Sequence, residues 1–391
     1  MKQSRTFPIA ILTLAASRLL PSLHAGAHIA RGELNLRGTA AIVFTDRVSP
    51  NADSSSDTIY TFTPEINYHR EDSRLDLNAE LSTPFTRYGS NSVYNSDDIN
   101  FSMSGKIPYN PASRVSGNWD FGYFNGVESN LLLNRNLDTE RLGGSITSNV
   151  RFLRKLSLRA GASYYDRSTT GVLTSYQNSN RTTSYEVGIQ GHELLFSNVG
   201  GYVSYRWQKR ETTEGSINSN IDDTDNGINF GVTGQILPER LFPKLDADLS
   251  FGIASSKDIK NRGGRRNHLT LDGSLSYPPT SKTNVTLRYN RNLSVSDDDR
   301  TVLASRINLG FQYTPRQRLS FGAQLGQSTN EFLDGETDRT DDRFTAGVNA
   351  RYLLRPNWSV FTYYNFRDSS SDVAIADYTS SVFGVSTTLS Y

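Results

Sequence analysis

The chain has 391 residues, a net charge of +1 and no cysteine, which excludes a disulfide framework, a thiolate metal site and the basic surplus that nucleic-acid binding requires. Only 36% of its residues are hydrophobic, yet it carries 20 Tyr and 19 Phe, too polar for a packed soluble core of this size and too aromatic for disorder. A transmembrane β-barrel reconciles the two, because only alternate residues face lipid while the others face a wet lumen.

In chain order, Lys2 and Arg5 precede an apolar run from Phe7 to Ala16 and a small-residue site at Ala25-Gly26-Ala27. The run falls short of the ~20 apolar residues of a membrane-spanning helix. It fits the core of a secretory signal peptide. Residues 1–27 are therefore expected to be a removable leader, with cleavage after Ser17 as the alternative, and residues 28–391 a single domain. Without the leader's Lys2, Arg5 and Arg18 the chain has 38 basic and 40 acidic residues, a net charge of −2.

From there the sequence alternates. Leu75, Leu77, Ala79 and Leu81 interleave with Asp76, Asn78, Glu80 and Ser82. Leu156, Leu158, Ala160, Ala162 and Tyr164 interleave with Ser157, Arg159, Gly161 and Ser163, and Leu245 to Ile253 and Lys282 to Asn292 repeat the pattern. Period two gives each strand one apolar and one polar face. Short turns are expected near Arg70–Ser73, Tyr109–Ser113, Phe152–Arg154, His192–Ser197, Pro238–Pro243, Pro278–Ser281, Thr314–Gln317 and Leu354–Pro356. Long polar loops fall between them, and only a long loop folded inward could plug the barrel, with Lys209–Asp225 the longest candidate. Short turns on one side and long loops on the other are the layout of outer-membrane barrels. The count gives about eighteen antiparallel, up-and-down strands, both termini on the periplasmic side, with the least regular strands between Asp57 and Asn110.

Aromatic residues gather at both ends of the strands. Tyr68, Phe152, Phe196, Phe242, Tyr277, Tyr313, Tyr352, Trp358 and Tyr391 lie near the short turns; Tyr88, Tyr123, Tyr164, Trp207, Tyr289 and Tyr364 lie towards the loops. Amphipathic rings favour the two membrane interfaces. In the last segment Phe383, Leu389 and Tyr391 share one face, as in the terminal strand signal read by the barrel-assembly machinery.

The polar faces carry Arg37, Glu65, Asp76, Glu80, Lys106, Asp120, Arg141, Arg159, Glu186, Arg206, Asp246, Asp248, Asp272, Arg288, Arg306, Arg343 and Arg351. Facing lipid, an Arg or Lys would cost ~2–4 kcal/mol at the midplane. These residues are therefore expected in the lumen, lining a hydrated pore or closing it by internal ion pairs. No catalytic, cofactor-binding or metal set is legible. His28, His69, His192 and His268 have no ligand spacing, and only His268 beside a loop Asp could suggest a rim enzyme. Acidic loop clusters at Asp222-Asp223 with Asp225, Asp297-Asp298-Asp299, and Asp338 with Asp341-Asp342 read as solvated loops, with cation-bridged lipopolysaccharide phosphates as their functional alternative.

The opening strand with its Ser/Asp loop and Pro-containing partner (RGELNLRGTAAIVFTDRVSPNADSSSDTIYTFTPEINY) resembles the β-barrel porin-2 type family. So does the closing pattern (RYLLRPNWSVFTYYNFRDSSSDVAIADYTSSVFGVSTTLSY), with its Leu-Arg-Pro turn, Trp, and final strand. The resemblance covers nearly all of the chain after its leader and implies no catalytic motif. It implies a channel taking part in exopolysaccharide export, with polysaccharide and periplasmic export components as partners besides outer-membrane lipid and lipopolysaccharide. The same pattern accommodates a diffusion porin for small solutes, and less readily an outer-rim enzyme or adhesin.

Overall fold

The computed structural model describes residues 27–29, 31–49, 55–108, 114–130, 135–171, 177–191, 199–214, 219–235, 244–256, 266–295, 301–333, 339–373 and 377–391. Eighteen antiparallel strands close into one barrel. They are β1 (Gly32–Thr45), β2 (Asp57–Glu71), β3 (Asp76–Ser82 continued by Phe85–Tyr88), β4 (Ser96–Asp97 continued by Ile99–Ile107), β5 (Val115–Asn130) and β6 (Arg135–Leu153). Next come β7 (Leu156–Gly171), β8 (Gln177–Gly191), β9 (Val199–Glu214), β10 (Ser219–Gly234), β11 (Asp246–Ser256) and β12 (Arg266–Thr280). The last are β13 (Thr283–Val295), β14 (Thr301–Arg316), β15 (Leu319–Phe332), β16 (Arg339–Arg355), β17 (Trp358–Ser371) and β18 (Tyr378–Ser390).

Each strand pairs with its neighbours in sequence. The seam pairs β18 with β1 from Arg37↔Ser390 to Thr45↔Val382. Tyr391 completes it, exchanging backbone hydrogen bonds with Leu36 at 2.7 and 2.8 Å. Closure leaves no edge, so every ladder group is satisfied without water, as a bilayer core demands. A short segment, Ala27–Ile29, folds back on Gly32–Leu34. Apart from Ala27, the expected leader lies outside the described residues.

The irregular region is β3 and β4. Pro84 has no N–H to give the ladder. The strand nevertheless keeps its register, since Glu65↔Ser82 and Phe62↔Phe85 advance in step. The two halves of β4 are in phase likewise, with Ser82↔Asn100 and Phe85↔Asp97.

Four described turns share one build. Leu153↔Leu156, Thr280↔Thr283, Arg316↔Leu319 and Arg355↔Trp358 each close over two residues, with a one-residue register shift beside the turn. A bulge there sharpens the local twist and ends pairing. In the β2–β3 turn, Asp72 accepts hydrogen bonds from the N–H groups of Arg74 (2.8 Å) and Leu75 (2.9 Å). The same carboxylate is gripped by Arg70 at 2.5 Å, which with those amides holds the acid down at about 2. The turns expected at Tyr109–Ser113, His192–Ser197 and Pro238–Pro243 lie outside the described residues.

At the opposite end the strands run further than the sequence suggested. Lys209–Asp225 is mostly hairpin, not an inward loop: β9 and β10 stay paired up to Glu214↔Ser219. The expectation of a plug there is corrected. Above the bilayer the outer face no longer meets lipid, so the ladder can continue without the alternation that marks a strand in sequence. The same extension shortens the expected loops Glu128–Leu137 and Asp166–Arg181.

Candidate channel lumen

Register fixes which side chains share a face. Leu36, Ile42 and Phe44 on β1 align with Ile66, Tyr60 and Thr58 on β2, and the apolar row continues through Leu81, Phe101, Phe121, Ile146, Leu158, Val187, Val203, Phe230, Phe251, Leu271, Leu287, Leu309, Leu325, Val348 and Val385. Most of these are large and exposed, as a lipid-facing band must be. Tyr185 and Trp207 stack on that face with ring centroids 5.5 Å apart. Tyr88 does not join them: it stands opposite Ile59 on the other face, against Tyr94.

The remaining face points inward. Side chains from well-separated strands meet there: Gln208 and Arg210 on β9 share a recess with Ser294 on β13, and Arg167 on β7 reaches across β6 to Glu128 on β5 at 3.6 Å. On this face Arg37 meets Glu65 at 2.8 Å, Asp76 pairs across from Lys106, and Glu80 from Ser102. Asp120 accepts a hydrogen bond from Ser145; Arg141 lies over the Phe124 ring and bonds Glu128 at 2.7 Å. Arg159 approaches Glu186 at 3.6 Å, and Glu186 stands opposite Arg206. Asp246 and Asp248 pair across from Ser276 and Ser274, and Asp272 accepts from Asn290 at 2.7 Å. Arg288, Arg306, Arg343 and Arg351 stand opposite Asn308, Ser328, Ser369 and Phe361.

Further inward groups were not singled out from the sequence. Arg167, Arg210 and Asp225 fell in segments read as loops, although Arg210 bonds Asp225 at 3.2 Å inside the barrel. Arg367 was hidden because β17 carries aromatics on both faces, Phe361 and Tyr363 inward, Tyr364 and Phe366 outward. Of the histidines, His268 stands inward opposite Ala254, and His192 lies outside the described residues. Among the described residues no three His, Asp or Glu side chains gather to hold a metal.

Glycines thin the inner wall. Gly231 faces Tyr202 across β9–β10, and Gly384 faces Tyr363 across β17–β18. A methyl group on either glycine would overlap the ring that lies flat above it. Gly326 and Gly347 make the same room for Thr345 and Asn365, whose oxygens sit 2.6 and 2.5 Å from where a Cβ would be. Side chains lying along the wall leave the bore wider than side chains standing out from it. Facing glycines Gly122 and Gly143 floor a recess of about 490 Å³ lined by Glu80, Asn100, Asp120, Phe124, Arg141 and Tyr165.

Exposure changes along the bore. Asp246, Asp248, Asp272, Arg288, Arg306 and Arg351 are open to solvent. Towards the loop end, the inward side chains of Leu137, Arg210, Phe332, Arg343 and Tyr378 are buried. A smaller recess there, about 230 Å³, is lined jointly by Arg167, Thr182 and Gln208 on β7–β9 and by Ser294 on β13. Walls several strands apart therefore approach each other at that end.

A closed barrel with an apolar outer band and a charged inner wall is an outer-membrane β-barrel of the porin-like channel type. The chain belongs to the family described as "Putative beta-barrel porin 2", whose profile matches residues 23–391. No curated protein matches it in sequence. Similar solved structures include OccK9 (OpdG) of Pseudomonas aeruginosa, 12% identical with a TM-score of 0.48, covering 93% of this chain and 100% of that one. OccK2 (OpdF) of the same organism, in complex with glucuronate, is 10% identical with a TM-score of 0.48 over 93% and 99% of the two chains. The siderophore receptor PirA of Pseudomonas aeruginosa is 10% identical with a TM-score of 0.45 over 91% and 80%.

Proposed function

We propose that this barrel is a diffusion channel for small hydrophilic solutes, with its short turns and both termini in the periplasm and its loop end outside, among lipopolysaccharide. The observation that carries this reading is the change in exposure along the lumen. A water-exposed polar bore runs from the turn end through the middle, then narrows where Leu137, Arg210, Phe332, Arg343 and Tyr378 are buried. At the same end the Asn136 amide ties β6 to the Val48 carbonyl just after β1. A solute of one or two sugar rings can pass such a narrowing in a few small displacements. An exported polysaccharide needs an uninterrupted bore wide enough for a hydrated chain, so the small-solute reading fits this geometry better than polymer export.

The test is swelling of liposomes that contain the refolded barrel, in a series of neutral sugars from monosaccharide to hexasaccharide. The diffusion reading expects rapid entry of the smallest and a steep size cut-off. Slow entry of every sugar, or a planar-bilayer current that long polysaccharides interrupt and short ones do not, would overturn it in favour of export.

A further inference from the structure

The inner charges are not evenly spread. On the described inner face of β13–β18 the arginines Arg288, Arg306, Arg343, Arg351 and Arg367 follow one another, and the only carboxylate is Asp341. Asp341 is already engaged at the loop end by Arg339, through two bonds of 2.7 and 2.8 Å, and by the Ser371 hydroxyl. The other inner acids lie outside β13–β18, among them Glu65, Asp76, Glu80, Asp120 and Glu128 on β2–β5, Glu186 on β8, Asp225 on β10, and Asp246, Asp248 and Asp272 on β11–β12. Asp272 has the Asn290 amide as its partner. Among the described residues Arg288, Arg306, Arg351 and Arg367 form no ion pair; Arg351 donates only to the Ser359 hydroxyl, at 3.3 Å.

These arginines are also spread along the axis. Arg351 lies four residues from the turn end of its strand, Arg288 five, Arg367 nine, Arg306 ten and Arg343 twelve. At ~3.4 Å per residue and a tilt of about 40°, that places them at heights from roughly 10 to 31 Å above the turns. Between them the wall offers Asn308, Gln312, Gln324, Asn349 and Asn365, whose amides can donate to an anion. A guanidinium binds a carboxylate through two parallel hydrogen bonds and keeps its charge at any working pH. A series of such forks, each within a few side-chain lengths of the next, can hand an anion along the bore without trapping it.

We propose that the β13–β17 arginines make this channel selective for small organic anions, carboxylates above all, over neutral solutes of the same size; this deepens the diffusion reading and rests on it. Two measurements on the whole barrel test it. In a potassium chloride gradient the reversal potential should give an anion-to-cation permeability ratio of about 3 or more, the sign set by uncompensated lumen charge. In liposome swelling a uronic acid should enter several-fold faster than the hexose it derives from. In the Arg288→Gln/Arg306→Gln/Arg367→Gln variant the permeability ratio should fall to about 1 or below, because Asp246, Asp248 and Asp272 then dominate. Hexose entry should be unchanged, which shows the barrel intact. Where the triple variant does not refold, Arg288→Gln and Arg306→Gln alone should each lower the ratio. Normal conductance with cation preference, or equal uronate and hexose rates, would overturn the proposal and leave the diffusion reading standing. No current and no swelling would overturn both.

Discussion

Replacing Gly231 by alanine should destabilise the barrel, although the same change at Gly38 should help. The Tyr202 ring lies over Gly231, and the added methyl would overlap its carbon atoms. Those atoms must move out to contact distance, ~3.5–4 Å, lifting the ring off the wall. Forcing one extra carbon into a packed site costs ~1–3 kcal/mol. The control is Gly38, where a methyl would meet nothing closer than a Phe62 ring carbon at 3.9 Å. There Gly38→Ala should gain up to ~0.5–1 kcal/mol by removing glycine's excess backbone freedom. Urea unfolding from phospholipid vesicles measures all of these. Combining Gly231→Ala with Tyr202→Ala should recover most of the loss, a coupling of about 1 kcal/mol or more. Single-channel current should fall in Gly231→Ala, because the lifted ring stands in the bore, and recover in the double variant. Strictly additive losses, or equal effects at Gly231 and Gly38, would refute the idea that the glycines exist to let side chains lie flat. Gly384 beneath Tyr363 offers an independent repeat.

Arg37→Ala should cost ~1.5–3 kcal/mol, as loss of a charged hydrogen bond does, since it strips the partner from Glu65, whose side chain is only 11% exposed. Adding Glu65→Gln should return part of it in the same unfolding assay. Asn136→Ala removes the bond to the Val48 carbonyl. At about 1 kcal/mol per hydrogen bond, the variant should lose about that much stability in the same unfolding assay. Asp72 is held at about 2 by Arg70 and two backbone amides, below the usual carboxylate value of 3.8. Its contribution to stability is complete above pH 4 and is lost as pH falls towards 2. Asp72→Asn should therefore lower the unfolding midpoint at pH 7, lower it less at pH 2, and have the least effect below that.

How much of this was legible in the sequence follows from what alternation encodes. Within the bilayer a strand must sort apolar from polar side chains, so Leu158, Ala160 and Ala162 against Arg159, Gly161 and Ser163 could be read directly as outer and inner faces. Beyond the bilayer nothing enforces the sorting, so the paired upper halves of β9 and β10 read as a loop in sequence. Where both faces carry aromatics, as in Phe361-Thr362-Tyr363-Tyr364, period two has no contrast and Arg367 stayed hidden. Cross-strand partners were out of reach altogether. Tyr202 over Gly231 depends on registers set by turn lengths, not on any pattern within either strand.

The inner wall is also where function can be separated from folding. The outer band and the closed ladder satisfy the membrane whatever faces the water inside. An inward arginine is needed for stability only where it answers a buried carboxylate, as Arg37 answers Glu65. Arg288, Arg306 and Arg367 answer none among the described residues, and Arg288 and Arg306 are exposed to solvent. Like charges along one wall repel, so the arrangement is mildly unfavourable to the empty barrel. A wall that carries an uncompensated charge series while the neighbouring β11–β12 wall carries acids is not explained by the fold. It is accounted for if passing anions supply the missing countercharge, one site at a time.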